Sequence, residues 1–273
     1  MSRRMADQEL ACLDGRIAAA EETAIPVTDE GFLRGDGVFE VARVYAGAPY
    51  ALPEHFDRME RSAANLRLEQ RVPRAELERE TSELLAARGD SFDGCLRYVL
   101  TRGGRRLVMT EPLKEPAHDL GVCFVTYAPT RILDGVKSLS YAGNMLATRI
   151  ACGRGFDEAV LVTPHGRVLE APTSSIFWAG DDGRLCTTPL ADHILASITR
   201  QRLMELVEVE ERPITADELL GAAEAFLAST TRQVHPIARI EDSRLESPGP
   251  RTREAADAFA AHLEEALGRP VAR

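Results

Sequence analysis

Strand-like and helix-like segments are interleaved along the whole chain, and this interleaving limits the folds open to it. Short apolar segments alternate with longer segments whose apolar residues recur every three or four positions. Some of the short segments flank tight turns such as Pro164-His165-Gly166. The pattern predicts a mixed α/β or α+β chain and argues against a regular doubly wound parallel sheet.

The segments fall into two groups, which predict two domains. The first group has strands over 37–44 and 95–101 and helices over 53–66 and 74–88. The second group has predicted strands over 122–127, 159–163, 167–169, 175–179, 184–187 and 225–229. Its predicted helices cover 141–152, 198–207 and 253–267, with a short helix after a capping box at Thr215. Because residues 107–120 read as a connector, we expect an N-terminal α/β domain over 1–115 and a C-terminal domain over 121–273.

Composition excludes several classes of protein. The 273 residues are 44% hydrophobic and 28% charged, which is typical of a globular chain. The net charge of −10 argues against nucleic-acid and anionic-membrane partners. No apolar run approaches the length of a membrane span, and residues 1–10 lack a signal-peptide core. Five cysteines, an odd number without a CxxC pair, favour reduced thiols, so we expect a cytoplasmic protein.

Lysine is rare in this chain. Of the 33 basic residues only Lys114 and Lys137 are lysines, and the others are arginines. Arginine does not give up its proton, so it cannot act as an amine nucleophile. Lys114 lies in a proline-containing connector, whereas Lys137 lies just before a predicted helix. Lys137 is therefore the candidate for amine chemistry, such as imine formation with a carbonyl.

Other segments carry groups that could bind a phosphate and a ring nitrogen, which a phosphorylated aldehyde cofactor would have besides its carbonyl. Glu170 ends an apolar strand, where an acid needs a cationic partner. Ser197-Ile198-Thr199 opens a helix and Ser229-Thr230-Thr231 follows a strand, and both could hold a phosphate. Arg58 could pair with that phosphate. An amine, a carboxylate and a phosphate cradle suit pyridoxal 5′-phosphate. Each of these residues also has a purely structural interpretation. The serines and threonines could cap helices, Glu170 could be a surface charge at the end of a strand, and Arg58 could lie on a solvated helix face.

Metal and nucleotide chemistry have no comparable support. The chain has no HExxH motif, and its six histidines lack metal-ligand spacing, so we expect no metal site. It also lacks a GxSxG elbow and a Walker loop. The glycines of Gly35-Asp36-Gly37 precede a strand, which does not suit a dinucleotide-binding turn.

A series of short motifs resembles one enzyme family. The motifs follow in family order from about Val27 to Arg239 and are Asp29-Glu30-Gly31-Phe32, Gly35-Asp36-Gly37-Val38-Phe39-Glu40, Glu54-His55-Phe56-Asp57-Arg58-Met59, Lys137-Ser138-Leu139-Ser140-Tyr141 with Asn144, Gly155-Phe156-Asp157-Glu158-Ala159, Gly166-Arg167-Val168-Leu169-Glu170, Ile198-Thr199-Arg200 and Ser229-Thr230-Thr231. In these motifs the chain resembles the class IV, or fold-type IV, pyridoxal-phosphate enzymes. That group holds branched-chain and D-amino-acid aminotransferases, (R)-selective amine transaminases and aminodeoxychorismate lyases.

The resemblance implies a fold and a set of roles. The fold would be a small N-terminal α/β domain and a larger C-terminal β-barrel-like domain with the cofactor between them, usually in a homodimer. Lys137 would be the Schiff-base lysine and proton shuttle, and Glu170 would pair with the pyridine nitrogen. The remaining cofactor-binding residues would be Tyr141 at the ring oxygen and Arg58, Ile198, Thr199 and Thr230 at the phosphate. In place of the glycine common before Ile-Thr-Arg, this chain has Ser197.

The reaction is less closely specified than the cofactor. Val41 stands where the lyases tend to carry threonine, and Ser229-Thr230-Thr231 resembles D-amino-acid aminotransferases, so transamination is favoured. The carboxylate-binding pairs of those aminotransferases and of the branched-chain enzymes are not cleanly present. We therefore expect an aminotransferase that moves an amino group from a branched-chain amino acid, a D-amino acid or a chiral amine to a 2-oxo acid. The candidate substrate-binding residues are Phe39, Arg97, Thr231 and Arg232.

Two alternatives remain open at this point. An arginine at position 97 is reminiscent of aminodeoxychorismate lyase, which makes 4-aminobenzoate and pyruvate. A non-catalytic protein that keeps the fold is the other alternative, and the intact set of Lys137, Glu170 and Arg58 argues against it.

Overall fold

The computed structural model describes residues 8–68, 74–113, 119–180 and 182–271. The chain forms two compact units. The first comprises Met1–Lys114 and Gly135–Tyr141, and the second comprises Glu115–Asp134 and Ala142–Arg273. The short segment 135–141 therefore belongs to the first unit, although in sequence it follows residues 115–134 of the second unit.

The first unit contains one antiparallel sheet and three α-helices among its described residues. Its strands are β1 (Leu10–Leu13), β2 (Arg16–Ala19), β3 (Gly37–Tyr45), β4 (Ala48–Pro49), β5 (Gly94–Thr101) and β6 (Arg106–Pro112). Its helices are α1 (Glu30–Arg34), α2 (Leu52–Asn65) and α3 (Arg74–Arg88). The strand order is β2-β1-β6-β5-β3-β4. All neighbouring strands are antiparallel, and short connections join the sequential pairs β1–β2, β3–β4 and β5–β6.

Helix α2 shows why this unit forms as predicted. Proline in its first turn suits helix entry, and one face of the helix is buried. Phe56, Met59 and Ala63 on that face join the core of the unit. Spacings of three and four residues place these side chains on one stripe, which is the pattern in the sequence. The helices predicted over 53–66 and 74–88 agree with the structure to within a residue.

The second unit contains a larger, mixed sheet. Its strands are β7 (Leu120–Thr126), β8 (Glu158–Val162), β9 (Ser175–Ala179), β10 (Leu185–Thr187), β11 (Glu210–Glu211), β12 (Glu224–Ser229), β13 (Gln233–Ile240) and β14 (Ser243–Arg244). Its helices are α4 (Ala142–Gly153), α5 (Ile198–Leu206), α6 (Ala216–Leu219) and α7 (Pro250–Leu267). The strand order is β11-β10-β9-β12-β13-β7-β8, and β14 pairs with β13. Strand β7 runs parallel to both of its neighbours, β13 and β8. Strand β12 runs antiparallel to both of its neighbours, β9 and β13.

The core of the second unit comes largely from strands without a polar face. Strands β8, β9 and β12 are buried along their whole length, and Val160, Trp178 and Leu227 lie in one apolar cluster. Continuous burial is expected for strands that are covered on both faces. The mixed α/β class predicted from the interleaved pattern is confirmed.

The predicted connector over 107–120 is wrong in its first part. Residues 106–112 form β6, which pairs with β5 and β1. Burial alternates along β6, but Arg106 and Thr110 are among its buried residues, so the hydrophobic pattern is hidden. The Leu10 N–H donates to the Thr110 hydroxyl at 2.9 Å, which satisfies that buried group. Lys114 and the rest of the connector to residue 118 lie outside the described residues.

Two further properties bear on the sequence expectations. In the described part of the chain, no helix has the length and apolar character needed to cross a bilayer. All five cysteines are free, and four of them are buried. Cys152 is exposed and lies in the last turn of α4.

Candidate active site

The main chain around Lys137 is held against strand β3. The Phe39 N–H donates to the Lys137 carbonyl at 3.0 Å, and the Leu139 N–H donates to the Gly37 carbonyl at 2.9 Å. The Lys137 N–H donates to the buried hydroxyl of Ser62 on α2 at 3.1 Å. Backbone hydrogen bonds on both sides therefore fix the point from which the Lys137 side chain extends.

The Lys137 amine lies beside aromatic rings. Its Nζ is 4.4 Å from the Phe39 ring centroid and 5.9 Å from that of Tyr141. The two rings meet edge to face with centroids 5.2 Å apart. The guanidinium of Arg97 lies 5.5 Å from the same Phe39 ring. Four of the sequence-predicted site residues are thus brought together in the first unit.

Arg58 belongs to a buried polar cluster that connects α2 with β3. Its Nε and Nη2 donate to the two carboxylate oxygens of Glu40, each at 2.7 Å. His55 Nδ1 lies 2.8 Å from Glu40 Oε2. Glu40 and His55 are fully buried, and Arg58 nearly so. This two-point pairing fixes the plane of the guanidinium, as a bidentate arginine–carboxylate pair does.

The ionisation of this cluster follows from burial and charge. Burial acts to raise the pKa of Glu40, but the charge and hydrogen bonds of Arg58, with those of His55, lower it to about 2. Burial lowers the pKa of His55, against the opposing effect of Glu40. A neutral His55 donates from Nδ1 to Glu40, which leaves its Nε2 as a buried acceptor without a hydrogen-bond partner among the described residues.

Glu170 lies at the end of the hairpin that leaves β8. The Leu161 N–H donates to the Glu170 carbonyl at 2.8 Å, which fixes the main chain there. The Leu195 N–H lies 3.3 Å from both carboxylate oxygens of Glu170. The half-buried carboxylate is therefore oriented by a backbone donor of its own unit.

Two hydroxyl-bearing segments of the second unit, residues 197–199 and 229–231, are predicted from the sequence to hold a phosphate. Helix α5 begins at Ile198, and Ser197 caps it by accepting from the Arg200 N–H at 3.3 Å. Ile198 and Thr199 are buried in its first turn, where backbone N–H groups have no intrahelical acceptor. Thr230 is half-buried and Thr231 exposed in the turn between β12 and β13.

The two arginines predicted to bind substrate each pair with a carboxylate. Arg97 donates from Nε and Nη2 to Glu111 at 2.6 and 3.0 Å across β5 and β6. Arg232 donates to Glu158 at 2.8 Å, and Glu158 is buried. Arg97 adjoins the ring that also contacts the Lys137 amine, which distinguishes it from Arg232.

Glu40 and His55 are functional candidates to which the sequence alone assigned no role. Both lie within the motifs that resemble the enzyme family, and the sequence contains a pattern that could have identified them. Glu40 is the one acidic residue in the mainly apolar strand β3, and His55 precedes Arg58 by three positions on the same helix face. A charge in a buried strand requires a cationic partner, and the spacing supplies one.

The side chains present fit pyridoxal phosphate. The first unit supplies an amine beside aromatic rings and an arginine held in a fixed plane. The second unit supplies an oriented carboxylate and the first turn of a nine-residue helix with a buried threonine. These groups match the aldehyde, the phosphate and the pyridine nitrogen of the cofactor.

Comparisons with known proteins agree with a transaminase architecture. The family model for amino-transferase class IV matches residues 37–240. The D-alanine aminotransferase of Bacillus licheniformis is 33% identical over 88% of this chain and 92% of its own length. The chain is a transferase of mixed α/β fold with two units. It belongs to the class IV aminotransferase family.

Solved structures show the same relationship. The branched-chain aminotransferase of Thermoproteus uzoniensis, determined with norvaline, superposes with a TM-score of 0.86 at 28% identity and covers 95% of each chain. A fold IV transaminase from Curtobacterium pusillum superposes with a TM-score of 0.81 at 28% identity, covering 93% of this chain and 99% of its own. The predicted fold-type IV architecture and transaminase class are confirmed.

Proposed function

We propose that this aminotransferase uses pyridoxal 5′-phosphate and Lys137 to move an amino group from an amino acid or chiral amine to a 2-oxo acid. The observation that carries the proposal is the anchored Lys137, whose amine lies against Phe39 and Tyr141. When bound, the cofactor supplies an aldehyde that condenses with amines and a ring that withdraws electrons. The protein has to place an amine, hold the ring and move a proton.

Lys137 is the residue proposed to move the proton. A primary amine on a flexible stem can act as a base once it is released from covalent attachment. The Phe39 and Tyr141 rings confine its Nζ, and the Ser62 and β3 hydrogen bonds keep its Cα in place. Confinement of this kind reduces the orientational cost of each proton transfer. Tyr141 is proposed to hydrogen-bond the ring oxygen.

Glu170 is proposed to keep the pyridine nitrogen protonated. A carboxylate beside that nitrogen stabilises the proton there. The Leu195 N–H orients the Glu170 carboxylate, so the acceptor does not need to be reorganised when the cofactor binds.

The proposed phosphate-binding residues are Arg58, Ile198, Thr199 and Thr230. Glu40 fixes the guanidinium of Arg58 from one side by a two-point pair. The first turn of α5 offers backbone donors and the Thr199 hydroxyl. We infer that Glu40 and His55 act through Arg58 and do not themselves contact the cofactor.

The amino donor is proposed to be bound by Phe39, Arg97, Thr231 and Arg232. Of the two arginines Arg97 is the better candidate for the substrate carboxylate, since it adjoins the Phe39 ring beside the Lys137 amine. D-Alanine and branched-chain aminotransferases are both among the similar proteins, so both donor classes are proposed. The aminotransferase names of these proteins favour transamination over the lyase reaction. A homodimer and a cytoplasmic location, the latter supported by the free thiols, are also proposed.

A half-reaction tests this function. The protein loaded with pyridoxal phosphate is mixed with one donor at a time: L-leucine, D-alanine, D-glutamate or an (R)-arylalkylamine, without an acceptor. The visible absorbance of the bound cofactor is followed. Conversion to the pyridoxamine form by at least one donor supports the proposal and identifies the donor's class and hand. No conversion with any donor, in protein that holds the cofactor covalently, contradicts it, and aminodeoxychorismate is then the next substrate to test.

A further inference from the structure

The second unit contains a cavity whose lining includes none of the residues proposed to bind cofactor or substrate. Its volume is about 310 Å³, which is within the range of small-molecule sites. Its polar lining comes from Arg131, Thr163, Arg167, Asp192 and His193. All five belong to the second unit.

Asp192 belongs to this lining, and neither of its carboxylate oxygens has a good hydrogen bond among the described residues. Its Oδ1 lies 3.4 Å from the Nε of Arg167, which is longer than a good hydrogen bond. Its Oδ2 is buried and has no hydrogen-bond partner among the described residues. The carboxylate remains 13% exposed, so its Oδ1 can accept an N–H group from a ligand in the cavity in place of the long contact to Arg167.

Positive charge lies in the same lining. Arg131 is exposed and makes no ion pair with the described residues, and the side chain of Arg167 is 41% exposed. His193 pairs through Nδ1 with Asp134. The arginines can therefore bind a carboxylate, for which the guanidinium geometry is well suited.

Apolar groups complete the cavity. Leu169, Ala191 and Pro164 contribute to the lining. An apolar wall of small side chains suits a short aliphatic group. A ligand that satisfies the whole lining needs an ammonium for Asp192, a carboxylate for the arginines and a small aliphatic side chain.

We propose that this cavity binds a small α-amino acid as a zwitterion, at a site separate from the one where the amino group is transferred. Asp192 binds the ammonium, Arg131 and Arg167 bind the carboxylate, and the apolar wall receives the side chain. Asp192 lies three residues before Leu195, whose N–H orients Glu170. The ligand is therefore bound by the same loop that supports the carboxylate of Glu170.

Binding of labelled 2-aminoisobutyrate tests the proposal. This amino acid has no α-hydrogen, so it cannot be consumed by transamination. Equilibrium dialysis is carried out on protein loaded with pyridoxamine 5′-phosphate, which has no aldehyde to capture the probe. Isobutyrate and isopropylamine, which carry only the carboxylate or only the amine, are tested as competitors. Because the measurement needs no turnover, its outcome is independent of the half-reaction.

The expected result has two parts. Asp192→Asn and Arg167→Gln each weaken binding by at least about tenfold, since each removes a charged hydrogen-bonding partner. Asp182→Asn and Arg184→Gln make the same charge changes at an exposed pair outside the cavity and leave binding unchanged. Each single-function competitor binds at least about tenfold more weakly than the amino acid.

Three results would overturn the proposal. One is the absence of binding up to about 20 mM probe. Another is binding that survives both Asp192→Asn and Arg167→Gln, which would place the probe elsewhere. The third is isobutyrate binding as tightly as 2-aminoisobutyrate, which would make the cavity an anion site. Thermal unfolding of each variant verifies that the fold is retained.

Discussion

The cluster of Glu40, His55 and Arg58 shows how individual residues stabilise charge inside a buried core. A carboxylate in the middle of a buried strand is tolerated because two cationic or donor groups on α2 face it. The sequence placed all three residues in matched motifs, yet roles could be assigned only to Arg58. Side-chain partners depend on how a helix docks on a strand, and hydrophobic spacing does not encode which polar groups then meet.

Glu40→Gln is predicted to destabilise the protein by about 3 kcal/mol, because it leaves the buried Arg58 charge without its counter-ion. Urea-induced unfolding measures the change. Glu111→Gln is the matched control, since its partner Arg97 is partly exposed, and it is predicted to cost less than about 1 kcal/mol. If Glu40→Gln and Glu111→Gln lowered the free energy of unfolding by equal amounts, burial would not be what makes the loss of Glu40 costly.

His55 is predicted to make stability depend on pH. Its folded-state pKa is lowered, so its contribution is complete above the unfolded-state value near 6.5 and is lost as the pH falls below it. The depressed pKa of Glu40 adds a second loss as the pH falls from about 4.5 to about 2. The free energy of unfolding of wild type should therefore decline below pH 6.5 more steeply than that of His55→Asn.

The control for this pH dependence is His165→Asn, which changes an exposed histidine in a turn. Its profile should match that of wild type. If the profile of His55→Asn also matched wild type, His55 would not titrate differently in the folded and unfolded states.

At the scale of elements, the sequence predicts some strands closely and does not predict β6 or β13. Strands β3, β5 and β9 matched their predictions to within a residue or so. The sequence predicts a connector where β6 lies, because the buried positions of that strand include Arg106 and Thr110, and it predicts no strand at β13, where Pro236 interrupts the apolar pattern. Sheet pairing stabilises both strands through contacts that a single segment does not reveal.

The contact between β3 and the Lys137 segment is predicted to require glycine at position 37. A Cβ there would lie 2.5 Å from the Leu100 carbonyl oxygen and 2.6 Å from a methyl group of Leu139. Gly37→Ala should cost about 1–3 kcal/mol, the usual range for overpacking, and should slow the half-reaction by displacing Leu139. Gly153→Ala is the control, as nothing lies within 4 Å of its added methyl. No loss of stability in Gly37→Ala would contradict this close contact.

At the scale of the whole molecule, the sequence predicted two mixed units and could not predict how the chain is shared between them. The Lys137 segment follows the start of the second unit in sequence but belongs to the first. Its hydrogen bonds to β3 explain the exchange, and such long-range pairing leaves no mark in local periodicity.

The rarity of lysine allows a direct test of the central role given to Lys137. Borohydride reduction of protein loaded with pyridoxal phosphate fixes the cofactor to the amine that holds it, and peptide mass spectrometry locates that amine. The chain has only Lys114 and Lys137 as side-chain candidates. We predict label on the Lys137 peptide, its retention in Lys114→Ala and its loss in Lys137→Ala. Label on Lys114 instead, or label that persists in Lys137→Ala, would contradict the account.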